Sequence, residues 1–175
     1  MLAALVATGK PLVLVLMNGR PLDLTYEDSV ADAILESWFA GTEAGNAIAD
    51  LLFGDYAPTG KLPITFPRSV GQIPIFYNHL MGGRPALDPL QKYESKYLDI
   101  PNDPLYPFGF GLTYTSFSYS NLTLSSKTFA NKSQVLTVSS VVTNNGTKDG
   151  TEIVQFYFRD VVASVARPVI ELKDF

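Results

Sequence analysis

The chain has 175 residues, 46% hydrophobic and 17% charged, with a net charge of −4 and no cysteine. This composition supports a globular core and rules out disorder as a global description, and the negative balance gives no basic footprint for nucleic acid. Disulfide and thiolate chemistry are excluded, and a lone histidine, His79, argues against a His-ligated zinc or iron centre, so neither a metal nor a cofactor is expected.

The first 17 residues, MLAALVATGKPLVLVLM, are apolar, but Lys10-Pro11 cuts the run into pieces far below the roughly 20 residues that cross a bilayer. No positive charge precedes it, as a signal peptide would require, and no membrane partner is expected. Leu2 to Val6 reads as a helix ended by Thr8-Gly9, and Pro11 to Met17, apolar without alternation, as a strand buried on both faces. A turn at Asn18-Gly19-Arg20-Pro21 follows, then a polar connection over Tyr26 to Val30. Ile34, Leu35, Trp38 and Phe39 form a second apolar run. Ala44, Ala47, Ile48, Leu51 and Leu52 then recur at helical spacing, with Thr42 placed to cap the helix, Glu43 at its positive end and Gly54 at its stop. Leu62, Ile64 and Phe66 alternate as a further strand. The result is strand–helix–strand, the unit of a layered α/β sheet.

Between Arg68 and Pro107 the periodicity is lost. Six prolines fall in this stretch, and its aromatic content favours an ordered loop lying on a surface over a flexible linker. From Thr113 the pattern is β: Phe117 to Leu124, Val135 to Thr143, a turn at Asn144-Asn145-Gly146, Thr151 to Phe158 and a possible start at Val169. A sandwich of immunoglobulin or fibronectin type needs about seven strands. A chain that opens inside a helix and stops after three strands is expected to be a piece of a longer protein.

Few residues announce chemistry. Gly54 to Lys61 (GDYAPTGK) has the wrong glycine spacing for a phosphate loop, Leu62 where Ser or Thr is needed, and a helix before it instead of after it. The glutamates preceding the β-rich part include Glu36, Glu43 and Glu94; Glu36, inside an apolar run, reads either as a buried acid with a raised pKa or as a strand-end carboxylate. No pair of carboxylates is set at a spacing that the sequence fixes. His79, Arg84, Tyr93, Lys96, Tyr97 and Asp99 form the densest polar and aromatic cluster. Such a cluster either lines a binding cleft, with rings stacking on sugars and charged groups bonding hydroxyls, or fastens its own loop to the body.

Several stretches together resemble glycoside hydrolase family 3, in particular its bacterial periplasmic β-glucosidases: NGRPL (18–22), WFAGTEAG (38–45), ADLLFGDYAPTGKLPITFP (49–67), YNHLMGGRP (77–85), KYLDIPNDPLYPFGFGLTYTSFSYSNL (96–122) and RPVIELKDF (167–175). The resemblance implies α/β plus β: the end of an (α/β)6 sandwich domain over 1–67, an ordered connecting loop over 68–111, and the first strands of a fibronectin type III-like β-sandwich over 112–175. It implies a retaining β-glucosidase acting on terminal non-reducing β-D-glucosyl residues, periplasmic or secreted. Its nucleophile would lie in a barrel domain and its acid/base glutamate in a motif, both upstream of residue 1. No catalytic role passes to any residue here, and the chain alone is expected to be inactive. His79, Arg84, Tyr97 and Asp99 are the residues that the resemblance places toward substrate, on a loop overhanging the pocket. A non-catalytic carbohydrate-binding or structural module is the alternative.

Overall fold

The computed structural model describes residues 1–86, 88, 90–131 and 133–175, so Leu87 and Pro89 of the expected loop lie outside the described residues. Among these the chain begins with α1 (Leu2–Val6), β1 (Val13–Leu16), α2 (Thr25–Val30), β2 (Ala33–Glu36) and α3 (Ala44–Phe53). A 3-10 turn, Val70–Gln72, interrupts the long loop, and β3 (Phe117–Leu124), β4 (Val138–Asn144), β5 (Phe156–Phe158) and β6 (Glu171–Asp174) follow.

β1 and β2 pair in parallel, Val13 opposite Ala33 and Leu16 opposite Glu36, with α2 in the crossover. The apolar run of β1 foresaw a strand buried on both faces; instead Val13 is exposed and Leu14 to Leu16 are half-buried. The polar connection expected over Tyr26 to Val30 is a helix. Asp23 accepts the Thr25 N–H at 3.2 Å, and Glu27 and Asp28 occupy the first turn, where the amide dipoles favour negative charge. Its six residues are too few to display a helical period.

α3 forms where the spacing predicted it and stops at Gly54, whose φ of 84° gives the left-handed cap. Glu43, not Thr42, occupies the N-cap position. A turn closed by Ala44 N–H to Gly41 C=O precedes it, and the Glu43 carboxylate accepts from Asn46 Nδ2 at 2.6 Å. Of the expected apolar stripe, Ala44, Ile48 and Leu51 are half-buried, whereas Ala47 and Leu52 are exposed.

The strand expected at Leu62, Ile64 and Phe66 is absent, because Pro63 and Pro67 remove two of its N–H donors. What forms is a looser ribbon against residues 105–110. Leu62 N–H donates to Phe110 C=O at 2.8 Å, Gly109 N–H to Leu62 C=O at 2.7 Å, Phe66 N–H to Tyr106 C=O at 2.8 Å and Leu105 N–H to Phe66 C=O at 3.0 Å. The core centres on this ribbon: Phe66 is 1% exposed, Thr65, Pro67 and Leu24 are also buried, and Trp38 and Tyr106 pack their rings against Phe66 at 5.9 and 6.3 Å.

β3 and β4 are antiparallel, with a bulge between Ser120 and Thr123 where Asn121 adopts φ 52°. The turn expected at Asn144-Asn145-Gly146 follows β4 directly, and the next strand, β5, pairs with β6 and not with β4. Asn144 accepts from Thr115 Oγ1 and from Gly146 N–H, and donates to Lys148 C=O, folding the turn back on Thr115. A Cβ at Gly146 would stand 2.1 Å from Thr115 Oγ1, so glycine is what permits this approach.

Truncating the most buried ring tests the centre. Phe66→Ala is expected to lower unfolding free energy by about 3–5 kcal/mol, read as a shifted midpoint in urea at unchanged slope.

Candidate functional site

Two regions carry exposed or incompletely bonded polar groups. The first is the carboxyl edge of the β1–β2 pair, the edge at which open α/β sheets bind ligands. Glu36 ends β2, half-buried, and its Oε1 accepts the Trp38 N–H at 2.8 Å. Burial pushes its carboxyl above the usual range, only partly opposed by the Trp38 N–H and the Asn18 side chain. Glu36 is thus both of the things the sequence allowed: a strand-end carboxylate and a desolvated acid. Trp38 adopts φ 52°, in the left-handed region that side chains rarely visit, and Ser37 fixes the turn by donating Oγ to Leu16 C=O at 2.8 Å.

The second region is the loop after Pro67. Its base is tied down by Gln72, 2% exposed, which accepts the Arg68 N–H at 2.7 Å and donates to Pro101 C=O at 3.0 Å. Farther out, Ser95 N–H donates to Arg84 C=O at 2.8 Å, Asn102 bridges the Tyr97 N–H and Ser95 C=O, and Asp88 N–H donates to the Glu94 carboxylate. His79 lies elsewhere on the loop. Its carbonyl accepts from Val169 N–H at 2.9 Å, and its Nδ1 sits 3.0 Å from Leu80 C=O.

His79, Arg84, Tyr97 and Asp99 are all exposed, and no hydrogen bond or ion pair joins their side chains to one another. Arg84, Tyr97 and Asp99 share the stretch pinned by Asn102; His79 belongs to the contact with Val169. The loop is therefore fastened by its backbone, Gln72 and Asn102, leaving the Arg84 guanidinium and Asp99 carboxylate open to solvent. Such groups bond hydroxyls; they do not form a nucleophile or an acid/base pair. Among the described residues no group of three or more His, Cys, Asp or Glu side chains converges as a metal site would require.

A cleft of about 420 Å³ that sequence reasoning missed lies between the loop and the β-rich part, lined by Tyr77, Phe108, Gly109, Tyr119, Glu152 and Tyr157 among others. Tyr77 stacks on Phe108 at 4.3 Å and meets the edge of Tyr157 at 6.0 Å. Gln155 donates to Gly109 C=O at 2.9 Å and accepts from Tyr157 at 2.6 Å. Gly109 has φ 80°, and a Cβ there would stand 2.1 Å from Gln155 Oε1. Lys61 closes one end, donating to Gly111 C=O at 2.9 Å and pairing with Glu152 at 3.4 Å. These polar groups hold the walls of the cleft to each other. The one signal available was the YPFGF run at 106–110, whose partners are remote in sequence.

With this geometry in hand, comparison with known proteins places the chain. Residues 1–114 match the glycosyl hydrolase family 3 C-terminal domain, and the chain belongs to that family. It is 61% identical over its whole length to the periplasmic beta-glucosidase of Salmonella typhimurium, of which it covers 23%. It is 45% identical to a beta-xylosidase of Formosa agariphila, over 96% of this chain and 22% of that protein. A crystal structure of a beta-glucosidase from Listeria innocua in complex with isofagomine superposes with a TM-score of 0.91 at 46% identity, over 97% of this chain and 24% of that one. The chain thus spans about a quarter of the length of these relatives, and its small sheets and few helices are those of the matching region of family 3 β-glucosidases.

The cleft wall also sets an alkaline limit. Tyr119 donates to Glu152 Oε1 at 2.8 Å, and burial, this bond and the carboxylate's charge push the phenol from 10 up to about 12. The folded chain binds this proton more tightly than the unfolded chain does, so the stabilisation is whole below pH 10 and fades toward pH 12. Tyr119→Phe is expected to make the loss of melting temperature across that interval shallower, as measured by circular dichroism.

Proposed function

We propose that the chain is part of a retaining β-glucosidase that hydrolyses terminal non-reducing β-D-glucosyl residues, and that it supplies scaffold and a pocket-rim loop. The observation that carries this reading is the 61% identity, over the whole of this chain, to a periplasmic beta-glucosidase. A location in the periplasm or outside the cell goes with it.

In this reading residues 1–67 close an (α/β)6 sandwich, 68–111 connect, and 112–175 begin a fibronectin type III-like domain. The parallel β1–β2 pair with its helical crossover supports the first assignment, and the antiparallel pairs β3–β4 and β5–β6 support the last. A retaining mechanism needs two carboxyl groups about 5–5.5 Å apart, one as nucleophile and one as acid then base. Both are assigned to the remainder of the enzyme, with a barrel domain as the partner of this chain. The work of His79, Arg84, Tyr97 and Asp99 is to contact the aglycone side of the substrate. The exposure of Arg84 and Asp99 on a loop fastened by other groups supports that role.

The full polypeptide carrying this chain is expected to cleave an aryl β-glucoside with the β configuration retained, followed by NMR of the first product formed. An inverted product, or no cleavage, overturns the reading. In the same enzyme Arg84→Ala is expected to raise KM about tenfold with kcat little changed, the loss of one charged hydrogen bond of roughly 1.5 kcal/mol. Unchanged kinetics would remove the loop from the pocket.

A further inference from the structure

Tyr77 touches three separate parts of the structure. Its half-buried ring stacks on Phe108 at 4.3 Å, with the planes 15° apart, and meets the edge of Tyr157 at 6.0 Å. Its hydroxyl accepts the Leu172 N–H at 3.3 Å. Phe108 belongs to the ribbon, Tyr157 to β5 and Leu172 to β6, so one side chain ties the loop to all three. Stacked and edge-on aromatic pairs contribute beyond simple burial, and two partners at different angles fix the ring in direction as well as place.

The residues that follow are held by the same neighbours. Val169 N–H donates to His79 C=O at 2.9 Å, and Leu80 lies opposite Pro168 in an antiparallel bridge. The backbone around His79 is thus fastened to the segment leading into β6. Its ring is exposed, with Nδ1 3.0 Å from Leu80 C=O. A carbonyl can only accept, so Nδ1 carries the proton of the neutral imidazole and donates it. Nε2 keeps a lone pair and has no hydrogen bond among the described residues.

We propose that Tyr77 is a positioning residue for His79: through it the β5–β6 pair holds the loop so that His79 offers Nε2, as an acceptor, to a hydroxyl on the aglycone side of a bound glucoside. This rests on the reading of the loop as a pocket rim and names what one of its residues does there. A sugar hydroxyl both donates and accepts, whereas the Arg84 guanidinium can only donate. His79 adds an acceptor that carries no charge. The ring neither attacks the sugar nor moves a proton; it selects an aglycone that has a hydroxyl to give.

The test uses the full polypeptide and two substrates, a β-linked glucose disaccharide and phenyl β-glucoside, whose aglycone has no hydroxyl. His79→Leu is expected to raise KM for the disaccharide about fivefold with kcat little changed, and to leave the phenyl glucoside near wild type. A similar rise for both substrates overturns the proposal. His79→Gln returns an acceptor oxygen and should recover most of the loss; equal losses in the two variants overturn the acceptor role. Tyr77→Leu should raise the same KM, but by little in the His79→Leu background, and an equal rise in both backgrounds overturns the positioning role. Nitrogen NMR of the wild-type histidine rings, with the His79 signal assigned by its absence from His79→Gln, should place the proton on Nδ1. A proton on Nε2 overturns the proposal even if Tyr77→Leu fails to fold. Unchanged KM in His79→Leu beside a raised KM in Arg84→Ala overturns this proposal alone. Unchanged KM in both removes the loop from the pocket, and this proposal with it.

Discussion

The ribbon formed by residues 62–66 against 105–110 is the constraint on which the rest of the chain depends. Pro63 and Pro67 prevent a regular strand, so the pairing relies on the N–H groups of Leu62 and Phe66 on one side and Leu105, Tyr106 and Gly109 on the other. Phe66 supplies the apolar centre, with Trp38 and Tyr106 packed on its ring. Because the ribbon joins the two ends of a long irregular stretch, the loop between them is anchored at its base without regular structure of its own.

The same ribbon couples the two halves of the chain. Lys61, at its start, reaches Gly111 and Glu152; Gly109, near its end, takes the Gln155 amide. Tyr77 accepts the Leu172 N–H at 3.3 Å, and Val169 bonds His79, so the β-rich part also grips the first turn of the loop. These contacts are mostly hydrogen bonds to backbone carbonyls in half-buried surroundings, where each bond contributes modestly and the set fixes orientation.

Much of this was legible in the sequence where the signal is local. Leu2 to Val6, Phe117 to Leu124 and the Gly54 stop of α3 were readable because a few neighbouring residues determine them. The helix at 25–30 was not, since its determinants are one Asp23 contact and two first-turn acids instead of a periodic face. The Asn144-Asn145-Gly146 turn was readable and falls directly after β4, whereas the contacts of the Asn144 side chain with Thr115 and Lys148 follow from no local rule. The four loop residues could be listed from composition as a cluster, yet only the fold separates His79, held near Val169, from Arg84, Tyr97 and Asp99. The Tyr77–Phe108–Tyr157 cleft joins residues too far apart in sequence for any spacing to reveal.

The central claim is that the ribbon around Phe66, and not the short sheets, is the most stable unit of the chain. Native-state hydrogen exchange followed residue by residue tests it most directly. The amides of Leu62, Phe66, Leu105 and Gly109 should be the slowest to exchange, slower than those of the β3–β4 and β5–β6 pairs. Ribbon amides that exchange as fast as those of the exposed loop at 91–99, with protection confined to β3 and β4, would contradict it.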